Sequence, residues 1–371
     1  MLTITLTLAL VAAAAPQGAG NDGAPVADPV KVSGAIEKGV EFVKRTPPEQ
    51  VGAEKELMLL ALLHAGVSRR DPYLTALLGK VLAAPLERTY NVSLQAMFLE
   101  DLERVRYQGR ILQCAQFLVD NQTAQGIWGY GTPTLAAAEP YKSTDVATAD
   151  PKARELGEEA PGSRKKPPVR VRLTVKRTRT APYGADNSNS QYALLGLRAC
   201  HDAGVDGPRE VLVLARKWFR EQQEQPEGAG GAGWTYGEHA GKPAWGSMTA
   251  GAAGSLAICG FLLGEGWKDD RALQRGTEWL ASHFSVAENP GFPQNGQHYY
   301  YLYALERAGI LCQAEKLGKR SWYAEGAKFL LDAQRPEGSW NANVVDTCFA
   351  ILFLRRSTYP LVETRDRYIS R

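Results

Sequence analysis

The chain has 371 residues, 43 Lys and Arg against 40 Asp and Glu, a formal net charge of +3, and 44% hydrophobic residues. So even a balance leaves no electrostatic footprint for nucleic acid or another polyanion, and the apolar content is ample for a large core. Five cysteines (Cys114, Cys200, Cys259, Cys312 and Cys348) stand singly inside apolar segments, a spacing that fits neither a disulfide framework nor a zinc knuckle; an odd count leaves at least one free thiol, and core packing is the expectation for each.

Residues 1–15, MLTITLTLALVAAAA, form an apolar run of signal-peptide length whose small residues suit an Ala-x-Ala cut near Ala14 or Ala15, although no Lys or Arg precedes it. This predicts export, to the periplasm or the medium, with residues 16–30 as a flexible leader. Beyond it no stretch reaches the roughly 18 uninterrupted apolar residues of a membrane span, so the mature chain is expected to lack a transmembrane segment.

From residue 31 the chain parses into pairs. Amphipathic helices, with apolar residues at helical spacing and one wet face, are predicted to begin near Val32, Tyr73, Gln108, Glu210, Arg271 and Trp322. Each is followed by a helix that is apolar nearly all round, as a helix buried on every side must be: EKELMLLALLHAG, YNVSLQAMFLEDL, NSQYALLGLRACHDAG, MTAGAAGSLAICGFLL, QHYYYLYALERAG and DTCFAILFLRR. Gly66, Gly204 and Gly309 are expected to stop three of these inner helices, because glycine best takes the left-handed C-terminal position. Six such hairpins predict an all-α (α/α)6 toroid at 31–371, with inner helices around an axis and outer helices facing solvent. Residues 132–186 break the pattern with an irregular insertion that turns basic at RKKPPVRVRLTVKRTRT; its alternation over 169–180 suggests a short hairpin, and its charge a solvated segment.

A spacing recurs at the end of three outer helices. Phe117, Gln122, Gly126 and Trp128 match Phe329, Gln334, Gly338 and Trp340 position for position, and Trp218, Gln223 and Trp234 repeat the pattern around a Gly-rich insertion. The Gln amide is placed to satisfy carbonyls left over at the helix end, the Gly to reverse the chain, and the Trp to pack over the joint. This pattern, followed by buried helices, resembles the QW repeats of squalene-hopene cyclases and the related protein prenyltransferase β subunits. The resemblance implies a toroid whose central cavity opens at one end, where loops deliver the inner-helix N-termini.

What it implies about chemistry is narrower. The cyclases protonate an alkene with the middle acid of Asp-x-Asp-Asp; here NVVDT keeps only Asp346, with Val344 and Val345 where acids would stand. The prenyltransferases open an inner helix with an Asp-x-Cys zinc pair, matched locally by Asp346 and Cys348, with His298 on the neighbouring helix as the one candidate third ligand. The leading expectation is an exported toroid of this superfamily that binds an apolar, isoprenoid-like ligand, needs no cofactor, and, if catalytic, uses Asp346 as acid and His298 as its partner. The simpler explanation makes Asp346 a helix cap and His298 a hydrogen-bonded wall residue. Asn189 and Gln297 begin inner helices, and the loop GWTYGEHAGKPAWGS adds Tyr236, Glu238, His239 and Trp245 at the same rim; aromatics beside a carboxylate and a His suit a glycan as well. A carbohydrate-active toroid enzyme and a non-catalytic repeat scaffold are the alternatives. The oligomeric state is left open.

Overall fold

A computed structural model describes residues 27–133, 166, 168–182, 184–224, 231–238, 240–292 and 296–361. The apolar N-terminal run, most of the leader, most of the insertion and His239 lie outside the described residues. Twelve α-helices are found among those described. The first six are α1 (Pro29–Val43), α2 (Lys55–Ala65), α3 (Pro72–Ala83), α4 (Thr89–Glu103), α5 (Gln108–Asp120) and α6 (Asn187–Asp202); the rest are α7 (Arg209–Glu221), α8 (Gly246–Leu262), α9 (Arg271–Ser282), α10 (His298–Leu311), α11 (Trp322–Ala333) and α12 (Val344–Leu354). All twelve fall where the alternation of amphipathic and apolar segments predicts them. None is long and apolar enough to cross a membrane.

The even-numbered helices pack in cyclic order, α2 on α4, α4 on α6, α6 on α8, α8 on α10, α10 on α12, and α12 back on α2, so the inner helices close a ring. Their burial follows from composition: α8 is buried from Gly246 to Gly260 without a break. The odd-numbered helices lie outside, each against one or two inner helices. In α7 only Val211, Ala215, Trp218 and Phe219 are buried, the i, i+4, i+7, i+8 stripe of a helix with one dry face. Asp28, Asp71, Asp270 and Ser321 cap outer helices by accepting free backbone N–H groups, each worth about 1 kcal/mol.

The three Gln-Trp joints form the same set of bonds. Gln122 Nε2 donates to Gly126 O (2.9 Å) and Val211 O (2.8 Å), Gln223 to Ala232 O (2.9 Å) and Ala272 O (2.8 Å), and Gln334 to Gly338 O (3.0 Å) and Ala35 O (2.8 Å). The indole N–H of Trp128, Trp234 and Trp340 donates to Leu118 O, Phe219 O and Leu330 O of the outer helix just ended. The expectation that the Gln serves carbonyls of its own helix is therefore corrected. It spans to the next outer helix, because its own helix end is already met by the Trp, and the last of the three reaches α1 and closes the outer layer. Gly126 and Gly338 sit at φ +95° and +94°, and a Cβ on either would lie 2.4 Å from a carbonyl oxygen of the next outer helix.

Other expectations change. Gly66 does end α2 in the left-handed conformation, but Gly309 lies inside α10, where the Trp322 ring occupies the space a Cβ would need. The 169–180 stretch forms no hairpin with itself; Leu173–Thr174 pairs in parallel with Val205–Asp206 after α6. Nor is its basic run simply solvated. Arg177 pairs with Glu210 (3.1 Å), Arg172 bonds Asp206, and the buried Asp120 accepts from Thr178 N and Oγ1, both 2.7 Å. Opposite charges on the ring give this segment a dock that composition alone does not reveal. All five cysteines are free, and four are buried.

Candidate functional site

A cavity of about 630 Å³ opens where the first turns of all six inner helices converge. Leu57, Leu94, Met248 and Phe349 supply its aliphatic and aromatic wall. At the rim, Trp245 stands edge-on to Phe292 (centroids 4.5 Å apart, 74°) and near Tyr236 (5.9 Å), the offset geometry that aromatic pairs prefer. Deeper, Tyr90 lies 3.9 Å from Tyr192, and Tyr300 meets Phe349 edge-on at 5.7 Å.

Polar groups converge on the same space. Asp186 caps α6 by accepting from Asn189 N (2.7 Å) and also takes Asn189 Nδ2 (2.9 Å), which fixes that buried amide and leaves its carbonyl oxygen over. Asn91 is tied to Ala53 O and Glu56 through Nδ2, so its oxygen is likewise left over. Ser188 and Gln191 both bond the Tyr300 hydroxyl, at 2.9 and 2.6 Å. Glu54 and Arg88 are the one carboxylate and the one cation among the described lining residues.

The floor rests on a buried cation. Arg307, 2% exposed, donates to Tyr192 Oη (3.1 Å) and Gln191 Oε1 (2.9 Å) and lies over the rings of Tyr192 (4.9 Å) and Tyr303 (4.2 Å). An aromatic cage of this kind stabilises a cation removed from water. Burial pushes the phenols of Tyr90, Tyr300 and Tyr303 well above their ordinary range, so at neutral pH they remain protonated hydroxyls.

Of the residues singled out in the sequence, Asn189, Gln297, Tyr236 and Trp245 line this cavity. Asp346, His298 and Glu238 do not, and His239 is outside the described residues. Asp346 is partly buried in the first turn of α12, bonded to Asn341 Nδ2 (2.9 Å) with its own N–H capped by Asn343. His298 bonds Val286 O through Nε2 (2.9 Å) and packs edge-on against Phe329 (5.0 Å); burial lowers its pKa, so it is a neutral, anchored side chain. The zinc set does not come together either. Among the described residues no three His, Cys, Asp or Glu converge, and Cys348 is fully buried.

Sequence reasoning missed Glu54, Tyr90 and Asn91 because the first two repeats lack the Gln-Trp signature that marks where an inner helix begins. Their one signal is register: each stands at the first turn of an apolar helix, as Asn189 does. Tyr300 was passed over inside the run HYYY in favour of His298, although only every third or fourth residue of a helix can face the axis.

No family model and no curated protein matches the chain. Among solved structures it is similar to a type II terpene cyclase from Scytonema in its apo form, at 12% identity and a TM-score of 0.32 over 88% of this chain and 97% of that one. At that level the architecture rests on the packing described above.

Proposed function

We propose that this chain is a cyclase-like toroid that binds a small, mainly apolar molecule of isoprenoid type in the cavity at the N-terminal mouth of its ring. One observation carries the reading: six helix starts enclose about 630 Å³ walled chiefly by carbon, with a few fixed amide and hydroxyl groups pointing in. Ligand sites have this size and make-up. Tyr300 Oη, Ser188 Oγ and the oxygens of Asn91 and Asn189 would orient a hydroxyl or other single polar group, while Phe349, Met248 and the rim aromatics take the hydrocarbon. Glu54 is the one carboxylate among the described lining residues, so a general base or acid, if the chain performs chemistry, is assigned to Glu54 rather than to Asp346.

A glycosidase reading is weaker on the same lining. Two-carboxylate glycoside hydrolysis needs a facing pair, and Glu54 has no second carboxylate beside it among the described lining residues. Trp245 provides the test, because it is the one tryptophan among the described lining residues. A C15 or C20 isoprenoid alcohol is expected to quench tryptophan emission saturably in the wild type and not in Trp245→Phe. Quenching by oligosaccharides but not by the isoprenoids would reverse the choice of ligand.

A further inference from the structure

The other end of the ring is closed by the chain itself. After α12 the backbone turns through Arg356 at φ +47°, a conformation costly for a residue with a Cβ, and residues 357–361 run across the C-terminal ends of the inner helices. Side chains of three of those helices read this segment. Glu306 of α10 accepts from Thr358 N (3.0 Å) and Oγ1 (2.6 Å), and Arg198 of α6 donates to the carbonyls of Tyr359 (2.6 Å) and Pro360 (3.0 Å). Asp101 of α4 accepts from the Tyr359 hydroxyl (2.7 Å). Gln313 donates to Leu361 O (3.1 Å), and the Tyr359 ring lies beneath the Lys166 ammonium (4.3 Å) and near the His64 ring (6.0 Å).

Four of these six hydrogen bonds address the main chain, which is how a protein holds an extended peptide rather than how two helices pack. Pro360 has no N–H to leave unpaired. With the segment in place the receiving groups are buried, Glu306 at 0%, Arg198 at 7% and Asp101 at 8% exposure, and Arg198 is also held, independently of the segment, by Asp202 at 3.2 Å. Removing the segment would strip these groups of the hydrogen bonds that offset their burial. A further cavity of about 410 Å³ runs beside residues 356–360. The Arg307 cage separates this mouth from the ligand cavity above, so the two ends are distinct sites.

We propose that the C-terminal mouth of the ring is a peptide-recognition site occupied in cis by residues 357–361, whose ligand class is an extended segment carrying a hydroxyl residue, a tyrosine and a proline in that order. The segment acts as a detachable latch, and the same groups accept a matching peptide in trans when it is displaced.

The test uses a fluorescent peptide of residues 356–364 and two proteins besides the full chain: one ending at Arg356, and a full-length Thr358→Ala/Tyr359→Ala variant that keeps every ring residue. The peptide is expected to bind one to one to both altered proteins and not to the full chain. Tyr359→Ala in the peptide should weaken binding at least tenfold. The proposal is overturned if an altered protein that keeps its helical circular dichroism fails to bind, or if the unaltered chain binds equally well. It also fails if neither altered protein stays folded, since the segment would then be an inseparable part of the core.

Discussion

Gln122 shows how much a single amide can organise. Its side chain is fully buried, its Nε2 joins a carbonyl of its own turn to one of the next outer helix, and its Oε1 accepts from Arg177 at 2.5 Å. Gln122→Ala leaves three polar groups short of a partner, and a stability loss of about 2–3 kcal/mol is expected from urea unfolding. Gly338→Ala should cost about as much or more, because the new methyl group both opposes φ +94° and meets the Lys38 carbonyl at 2.4 Å. Glu306 makes a pH-dependent contribution. Burial raises it from 4.5 to about 7, only partly opposed by Thr358, Arg307 and Arg356. Between those values the unfolded chain has released a proton that the folded chain keeps, so this group favours folding below about pH 4.5 and the benefit is lost as pH rises to about 7. The total is about 3 kcal/mol. Glu306→Gln is expected to flatten that part of the stability profile measured by denaturant titration; an unchanged slope would assign it to another group.

At the scale of elements the sequence was most readable where a helix has one environment. The inner helices are apolar on every face and the outer ones striped, so all twelve could be placed from periodicity. The segment over 168–182 was not readable, because its order comes from acids brought close only by the fold: Asp120, Asp206 and Glu210 wait on the ring for Thr178, Arg172 and Arg177. Asp120→Ala is therefore expected to loosen this segment without melting the ring. Hydrogen exchange should rise over 168–182 and remain slow in α5 and α6; equal loosening of those helices would mean that Asp120 supports the ring itself. Gly309 carries the same lesson, since a glycine that ends a helix and one that admits an indole look alike in sequence.

For the whole molecule, closure is the decisive property. The contact of α12 with α2, and of Gln334 with Ala35 in α1, joins the two ends of the fold and brings six helix starts to one point. The resemblance of the Gln-Trp joints implied that inner-helix N-termini would meet at one end, and Asn189, Gln297, Tyr236 and Trp245 do line the cavity there. It could not say which residue of each first turn faces inward. That depends on helix rotation about its own axis, which is set by packing, and it separates Tyr300 from His298 and Phe349 from Asp346. Met248 lies on the cavity wall with small neighbours along α8, so Met248→Trp should fill the space with little effect on folding. The most direct test of the cavity's role is native mass spectrometry of the wild type and Met248→Trp with a C15 isoprenoid alcohol. A single bound molecule in the wild type and none in the folded variant is the predicted result, and no binding to the wild type, or equal binding to both, would contradict it.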